Sequence, residues 1–211
     1  MIRLTMLTIE EAEKVPDSYC REHFPVRFER AGRYRFREDQ LRCIGAGLLL
    51  DRVLGIRETD LAAGPCGKLY VPGSTHGFSL SHSGDRIVLA DGEGNIGVDI
   101  EVHHPGHLSL AKRVYTAEEA EWMQKDPEER FFRLWSMKES VMKALGRGLS
   151  LPPESFSVLA AVDGKTVTVE GTELFLRTVP MEGYGLAVCS DRPVEEIRIG
   201  RCDTDLTDRK T

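Results

Sequence analysis

Two short segments constrain the fold of this chain most, because each predicts both a local structure and a chemistry. The sequence Gly-Val-Asp-Ile-Glu includes Asp99 and Glu101, which share one face of an extended strand while the apolar residues share the other. The segment Trp135–Lys143 predicts a helix, in which Glu139 and Lys143 are neighbours four residues apart. We therefore expect three carboxylates and a lysine to form a site for Mg²⁺ and phosphate.

Helical spacing of apolar residues predicts two long helices. The first is expected over Arg37–Leu54, with Gly55 as its C-cap. The second is expected over about Glu128–Leu145 and ends at Gly146. A capping box that begins at Thr116 predicts a shorter helix before the second long one. Each half of the chain therefore contains one long helix.

Short strand-like runs, bounded by Gly, Pro and Ser turns, follow each long helix. The predicted strands are Lys68–Val71, Phe78–Ser81, Arg86–Asp91 and Asn95–Val102, then Phe156–Ala161, Lys165–Val169, Glu173–Thr178 and Tyr184–Ser190. The predicted fold class is α+β, with two similar helix-plus-sheet halves, residues 1–103 and 104–211, related by a pseudo-twofold axis. We expect a ligand site at the seam between the halves, where pockets commonly form.

Composition narrows the classes of protein that remain. The formal charge of −6 argues against a general nucleic-acid binder, although the arginine-rich stretch Arg27–Arg42 predicts one basic surface with an anionic partner. The longest apolar run, Cys43–Leu50, is too short to span a bilayer. The five cysteines are scattered and form no Cys-x-x-Cys pair, so no zinc site or disulfide framework is indicated. We expect a soluble, cytoplasmic protein.

Three other motifs have alternative interpretations. The sequence Ser81-His82-Ser-Gly could hydrogen-bond phosphate oxygens, could be an ordinary turn, or could contain a nucleophilic serine. The Gly-x-Ser-x-Gly pattern of a nucleophile elbow is absent. His103, His104 and His107 surround a Pro-Gly pair and are interpreted as linker residues rather than metal ligands. The glycines form no dinucleotide-binding or P-loop pattern.

With these motifs in view, the chain resembles the 4′-phosphopantetheinyl transferases, specifically the single-chain, pseudo-dimeric type that activates nonribosomal peptide synthetases. The resemblance runs from about Arg27 to Val158. The order and spacing of its motifs make it specific. The motifs are Phe78-Ser-Leu-Ser-His-Ser-Gly84, Gly97-Val-Asp-Ile-Glu101, Phe132-Arg-Leu-Trp-Ser-Met-Lys-Glu-Ser140 with Lys143, and Gly148-Leu-Ser-Leu-Pro152.

The resemblance implies a reaction and a role for each matching residue. The phosphopantetheine arm of coenzyme A is transferred to a serine of an acyl or peptidyl carrier protein, and 3′,5′-ADP is released. The implied Mg²⁺ ligands are Asp99, Glu101 and Glu139, and Glu139 also helps to deprotonate the acceptor serine. Lys143 neutralises charge on the transferred phosphate. The implied coenzyme A contacts are His82, Arg42, Arg27 and Arg30 at the 3′-phosphate, with Ser81 and Lys68 lining the nucleotide site. A monomer is expected.

The chain departs from the family pattern at two places. The Gly-Lys-Pro of the family is Gly-Lys68-Leu here, and Arg27 and Arg30 stand where lysines are common. Two alternative functions remain open. One is a non-catalytic module of the same fold that binds coenzyme A or a carrier protein, and the other is a Mg²⁺-dependent pyrophosphate hydrolase. The sequence leaves the carrier protein and its pathway open.

Overall fold

The computed structural model describes residues 1–105 and 107–206. Its strands are β1 (Ile2–Thr8), β2 (Ala62–Ala63), β3 (Leu69–Tyr70), β4 (His76–Ser83), β5 (Arg86–Glu93), β6 (Ile96–Val102), β7 (Val167–Val169), β8 (Thr172–Thr178), β9 (Tyr184–Ser190) and β10 (Ile197–Arg201). Its α-helices are α1 (Ile9–Glu13), α2 (Asp17–His23), α3 (Pro25–Ala31), α4 (Arg37–Leu49), α5 (Ala111–Val114), α6 (Ala117–Met123), α7 (Pro127–Ala144) and α8 (Leu159–Val162).

Two four-stranded sheets organise the molecule, which confirms the predicted α+β class. The first sheet has the order β10-β1-β5-β4, and the second has the order β6-β9-β8-β7. Neighbouring strands are antiparallel except β1 and β10, which run parallel. The connectivity repeats, because β1 and β6 each precede a long helix and then pair with the second strand of a hairpin. This repeat supports the predicted pseudo-twofold plan, which stays a prediction.

The two sheets meet where the edge strand β4 lies beside the edge strand β6. At this edge of β6, serine hydroxyls rather than the backbone of another strand accept hydrogen bonds from two N–H groups. The N–H of Ile100 donates to Ser81 Oγ at 3.3 Å, and the N–H of Val102 donates to Ser83 Oγ at 3.1 Å. Because alternate residues of a strand share a face, one Ser-x-Ser sequence can serve two successive groups of the neighbouring strand.

Each long helix packs closely on one sheet, α4 on the first and α7 on the second. The approach of α7 depends on glycine. A Cβ atom on Gly97 of β6 would overlap the Ser140 carbonyl oxygen, and one on Gly185 of β9 would overlap the Phe132 carbonyl oxygen. The helix therefore lies directly over the face of β6 that carries the predicted acidic residues. In the described part of the chain, no helix has both the length and the apolar character needed to cross a membrane.

Most predicted elements are confirmed. The first long helix continues from α4 as a π-helical turn, Leu50–Leu54, and ends at Gly55, whose φ of 64° is left-handed. The capping box at Thr116 is present, with the Glu119 side chain returning to the Thr116 N–H. The predicted C-terminal glycine of α7, Gly146, also has a positive φ, of 66°.

The strand predicted over Phe156–Ala161 is wrong, because that segment forms turns followed by the short helix α8. Buried side chains take the backbone groups that a neighbouring strand would otherwise bind. The Phe156 carbonyl accepts a hydrogen bond from Lys138, and the Val158 N–H donates to Glu119 Oε1 at 2.8 Å. Sequence reasoning also missed β1, β10 and the helices α1–α3.

The predicted boundary between halves, at residues 103 and 104, stays a prediction. Strand pairing crosses it in both directions. The strand β6, which precedes the boundary, pairs with β9 over seven residues. The strand β10, which follows it, pairs with β1. Residues 207–211 of the predicted second half lie outside the described part of the chain.

Candidate active site

The two acidic residues of β6 lie against the serines of β4. Ser81 Oγ donates to Asp99 Oδ1 at 2.9 Å, and Ser83 Oγ donates to Glu101 Oε1 at 2.8 Å. Asp99 is only 5% exposed, whereas Glu101 is half-buried. The same hydroxyls also accept the β6 N–H groups described above, so each serine fixes one carboxylate and the backbone next to it. Ser81 was predicted as a site residue, and Ser83 was not.

The predicted helical pair on α7 reaches the same place. Lys143 Nζ lies 2.7 Å from Asp99 Oδ1 and donates to Ser81 Oγ at 2.9 Å. Burial, followed by repulsion from Asp99, raises the pKa of Glu139 to about 6; Lys143 opposes the rise and Glu101 adds to it. The structure therefore brings Asp99, Glu101, Glu139 and Lys143 into one electrostatic cluster, as the sequence predicted.

One oxygen of this cluster has no partner among the described residues. Asp99 Oδ2 is buried and receives no hydrogen bond, while Oδ1 binds both Lys143 and Ser81. A buried carboxylate oxygen is costly unless something compensates it. Carboxylate oxygens are the ligands that Mg²⁺ prefers, so the donor set fits that ion. Among the described residues, however, no three acidic, histidine or cysteine side chains stand in an arrangement ready to hold a metal.

Two more predicted residues border the cluster. The His82 side chain is exposed, yet desolvation by the surrounding protein lowers its pKa, and the cations Lys143 and Arg42 lower it further. Arg42 donates to the Gly84 carbonyl from Nε at 3.0 Å and from one terminal nitrogen at 2.7 Å. It also pairs with Asp39 at 2.7 Å. Arg42 and Lys143, with the His82 imidazole beside them, thus form the cationic side of the site.

The structure places Arg27 and Arg30 in a different cluster, around Glu58. Arg27 is buried, and its Nε lies 3.0 Å from Glu58 Oε1. Arg30 is half exposed and reaches the same oxygen at 3.9 Å. Cys43 of α4 lies beside this group, because its thiol donates to the Arg27 carbonyl at 3.5 Å, and burial raises the pKa of that thiol. The predicted contact of Arg27 and Arg30 with the 3′-phosphate stays a prediction.

A pocket of about 410 Å³ opens beside the acidic cluster. Glu139 and Lys143 line it, and so does Lys68, which was also predicted as a site residue. Five apolar side chains line the pocket as well, so it combines charged and apolar surface. The apolar residues are Leu69, Phe78, Leu80, Met142 and Leu149.

The ammonium of Lys68 is already bound within the protein. It donates to the carbonyl oxygens of Ile96 and Lys143, each at 2.7 Å, and of Ala144 at 3.0 Å. Burial lowers its pKa to about 8. A protonated lysine has three N–H donors, and all three have acceptors here. Lys68 therefore lines the pocket without a spare donor.

A charge close to the buried face of α7 needs a partner inside the protein. Lys138 has one, because it pairs with Glu119 at 2.8 Å and both side chains are 0% exposed. The partner was not identified, since Glu119 was recognised only for its role in the capping box. Ser83 was missed as a positioning group, although its alternation with Ser81 is visible in the sequence.

The linker histidines lie at the far end of β6. The His103 ring stacks on Phe132 with 4.7 Å between centroids, and the His104 ring is tilted towards Phe132 at 5.9 Å. The side chain of His107 lies outside the described part of the chain. The packing of His103 against an aromatic ring agrees with a structural role.

An α+β protein with clustered carboxylates, a paired lysine and an adjoining pocket has the chemistry of an enzyme that handles a phosphate-bearing ligand. A family model described as the 4′-phosphopantetheinyl transferase superfamily matches residues 95–189, which include β6, α7 and all but the last residue of β9. This chain belongs to the 4′-phosphopantetheinyl transferase superfamily.

Curated relatives extend the match over most of the chain. A 4′-phosphopantetheinyl transferase of Bacillus subtilis is 38% identical over 182 residues, which cover 78% of this chain and 80% of the relative. The 4′-phosphopantetheinyl transferase Sfp of Bacillus subtilis strain 168 is 34% identical over 186 residues, or 80% and 82% of the two chains. The 4′-phosphopantetheinyl transferase psf-1 of Bacillus pumilus is 36% identical over 140 residues, or 62% and 60%.

Proposed function

We propose that the protein transfers the 4′-phosphopantetheine arm of coenzyme A to a serine of an acyl or peptidyl carrier protein. The serine oxygen forms a new bond to the phosphorus that carries pantetheine, the pyrophosphate bond breaks, and 3′,5′-ADP leaves with the bond electrons. The acceptor serine loses its proton. The membership of the superfamily and the names of the relatives support this reaction. The further proposal that the carriers include those of nonribosomal peptide synthetases rests on the resemblance alone.

The observation that carries the proposal is the contact between α7 and β6. Lys143 Nζ, Asp99 Oδ1 and Ser81 Oγ form a closed triangle of contacts of 2.7 to 2.9 Å, with Glu139 in electrostatic contact. Phosphoryl-type transfer needs positioning and charge neutralisation more than covalent chemistry. Lys143 lines the pocket and is held between Asp99 Oδ1 and Ser81 Oγ, so it provides a positive charge in a fixed position.

In this proposal Asp99, Glu101 and Glu139 hold a Mg²⁺ ion, which would neutralise charge on the pyrophosphate. The orphaned Asp99 Oδ2 is the atom that most clearly needs such a partner. A donor set made only of oxygen suits Mg²⁺, as it suits Ca²⁺ and Mn²⁺.

Glu139 is the proposed acceptor of the serine proton. In the metal-free protein, burial raises its pKa to about 6 and makes the carboxylate more basic than an ordinary glutamate, whereas a Mg²⁺ ion bound to Glu139 would oppose this rise. A general base works best when its pKa is close to the operating pH. Lys143 then neutralises charge on the transferred phosphate, and its short contact with Asp99 fixes the position of the ammonium.

The cationic side of the site is the proposed position of the coenzyme A nucleotide. His82 and Arg42 lie beside Lys143 and are proposed to meet the 3′-phosphate. Arg27 and Arg30 are proposed to assist, although both face Glu58 in this structure. Ser81 and Lys68 form parts of the nucleotide wall. The protein is proposed to act as a monomer, because one chain supplies every residue of the site.

The test is to incubate the purified protein with coenzyme A, Mg²⁺ and an apo carrier protein, and to measure the carrier mass and the released nucleotide. Transfer gives a mass gain of one phosphopantetheine and an equal amount of 3′,5′-ADP. A pyrophosphate hydrolase would release nucleotide without any mass gain. A non-catalytic module would bind coenzyme A and change neither, and either result would contradict the proposal.

The physiological carrier is best sought with a panel of fatty-acid, polyketide and peptide carrier proteins. All members should be compared at one ionic strength, because charge steering changes association rates as salt changes. The carrier with the highest kcat/KM identifies the preferred class. Equal values across the panel would show that this protein does not discriminate among the three.

A further inference from the structure

Lys68 belongs to the loop before β3, yet its side chain ends against β6 and the end of α7. Its ammonium is held by the carbonyl oxygens of Ile96, at the start of β6, and of Lys143 and Ala144, at the end of α7. The last carbonyls of a helix have no partners within the helix and carry its partial negative charge. Lys68 therefore acts as a C-terminal cap supplied from another part of the chain.

The surroundings are built to receive this side chain. Gly146, the residue with positive φ that ends α7, lies under it, and a Cβ atom there would come within 3.3 Å of Lys68 Cδ. Lys68 is mostly buried. Burial lowers its pKa, while the nearby Asp191 raises it. The charge is thus compensated by backbone carbonyls rather than by a bound carboxylate.

The same contact joins two of the segments that line the pocket. Residues 66–69 line it from the loop before β3, and Met142, Lys143 and Gly146 line it at the end of α7, with Lys68 joining the two segments. The carbonyl that Lys68 binds belongs to Lys143, whose ammonium contacts Asp99. A shift of the helix end would therefore move the Lys143 side chain away from the acidic pair.

We propose that Lys68 is a positioning residue, which fastens the end of α7 and the pocket loop to β6 and so places Lys143, and that it does not bind the phosphate groups of the nucleotide. This inference rests on the proposed function for its catalytic consequence only. All three donors of the ammonium are occupied, so a contact with phosphate would require the cap to open.

The decisive variant is Lys68→Met, which keeps the length of the side chain and removes the donors. Lys165→Met is the matched control, because Lys165 is an exposed lysine outside the site. Amide hydrogen exchange measured without substrate should become at least about tenfold faster in residues 141–149 of Lys68→Met. Exchange in β1 and β5 should stay unchanged, and the control should match the wild type throughout.

Kinetic measurements give a second readout, because a positioning residue and a residue that binds phosphate directly should affect them differently. Lys68→Met should lower turnover by about 10²-fold, the cost of a misplaced catalytic group. Any change in KM should be the same for coenzyme A and for its 3′-dephospho form. Unchanged exchange at residues 141–149, or a KM increase confined to coenzyme A, would overturn the proposal.

If Lys68→Met does not fold, the exchange measurement on Lys68→Gln decides, since this side chain is polar but too short to reach all three carbonyls. Faster exchange at the end of α7 supports the positioning role, and wild-type exchange overturns it. The exchange experiment needs no substrate. A wild-type protein that transfers nothing would therefore contradict the proposed function while leaving the structural role of Lys68 to be judged by exchange.

Discussion

Two lysines of α7 pair with carboxylates of other elements, and the two pairs differ in how completely their polar groups have partners. Lys138 and Glu119 are both 0% exposed and lie 2.8 Å apart. Lys143 and Asp99 lie 2.7 Å apart, but the lysine is 28% exposed and one Asp99 oxygen has no partner. The first pair is closed, meaning that both charges are fully compensated inside the protein. The second is open, because it retains capacity for a ligand.

The closed pair fastens three segments together. Glu119 Oε1 accepts the Val158 N–H at 2.8 Å, and Oε2 accepts the Thr116 N–H at 2.9 Å. Lys138 donates to the Pro153 carbonyl at 2.7 Å and to the Phe156 carbonyl. Such a pair need not stabilise a protein relative to an apolar core, but its members depend on each other strongly. Its position under α7 holds the helix that carries the open pair.

The comparison predicts that disrupting the open pair costs activity and disrupting the closed pair costs stability. The largest effect is expected for Asp99→Asn, which preserves shape and removes the charge. Turnover should fall on the order of 10³-fold, because the proposed metal and Lys143 both lose their anionic partner. Steady-state rates and a thermal melt of the same preparation test this. Near-normal turnover at ordinary Mg²⁺ would remove Asp99 from the proposed metal site.

The converse variant is Lys138→Met, which leaves the Glu119 carboxylate buried without a cation. The free energy of unfolding should fall by about 3 to 5 kcal/mol, measured by urea denaturation. Lys138→Met combined with Glu119→Gln should recover part of this loss, because the buried charge is gone and the amide oxygen can still accept the Val158 N–H. A loss below about 1 kcal/mol in the single variant would show that the pair is not closed.

Lys143→Ala removes the cation of the open pair. If the ammonium neutralises charge that develops on the transferred phosphate, turnover at saturating coenzyme A should fall by about 10² to 10³-fold. Stability should fall by only about 1 kcal/mol, since solvent can reach the vacated position. Rates at saturating substrate and urea denaturation provide the two numbers. Unchanged turnover with lower stability would place Lys143 with Lys138 among structural lysines.

The sequence predicted the open site better than the closed one, for a physical reason. Strand alternation places Asp99 and Glu101 together, and helical spacing places Glu139 with Lys143, so each pair follows from local geometry. The Lys138–Glu119 pair joins two helices, and no local period connects its members. The same pair explains why no strand forms at Phe156, because Lys138 and Glu119 bind backbone groups of that segment.

The same distinction explains the elements that were missed. The pairing of β1 with β10 joins residues at opposite ends of the chain, such as Leu4 and Ile199, and no local pattern specifies it. The family resemblance implied that Lys68 lines the nucleotide site, but it did not indicate that the hydrogen-bond partners of this lysine are backbone carbonyls. Backbone groups are present at every residue, so such partners leave no signal in a sequence.

Lys68 adds a test of this comparison that depends on pH. Its donors are all occupied, like those of Lys138, but its acceptors are backbone carbonyls rather than a carboxylate. Burial lowers its pKa from 10.5 to about 8. Between these values the unfolded chain binds a proton that the folded protein has released, so stability contributed by Lys68 rises as pH rises. The stability of the wild type relative to Lys68→Met should therefore increase by about 2 kcal/mol from pH 8 to 10.5. A pH-independent difference would contradict the buried ammonium.

Arg42 tests whether closed charged groups and open charged groups are separate classes. Its guanidinium already contacts the Gly84 carbonyl and Asp39, which resembles a closed group, yet it lies beside His82 on the cationic side of the site. If it also meets the 3′-phosphate, Arg42→Ala should raise KM for coenzyme A about tenfold. KM for 3′-dephospho-coenzyme A should change by less than about twofold. Equal increases for both substrates would show that Arg42 acts on the Gly84 turn, and would place it among the closed cations.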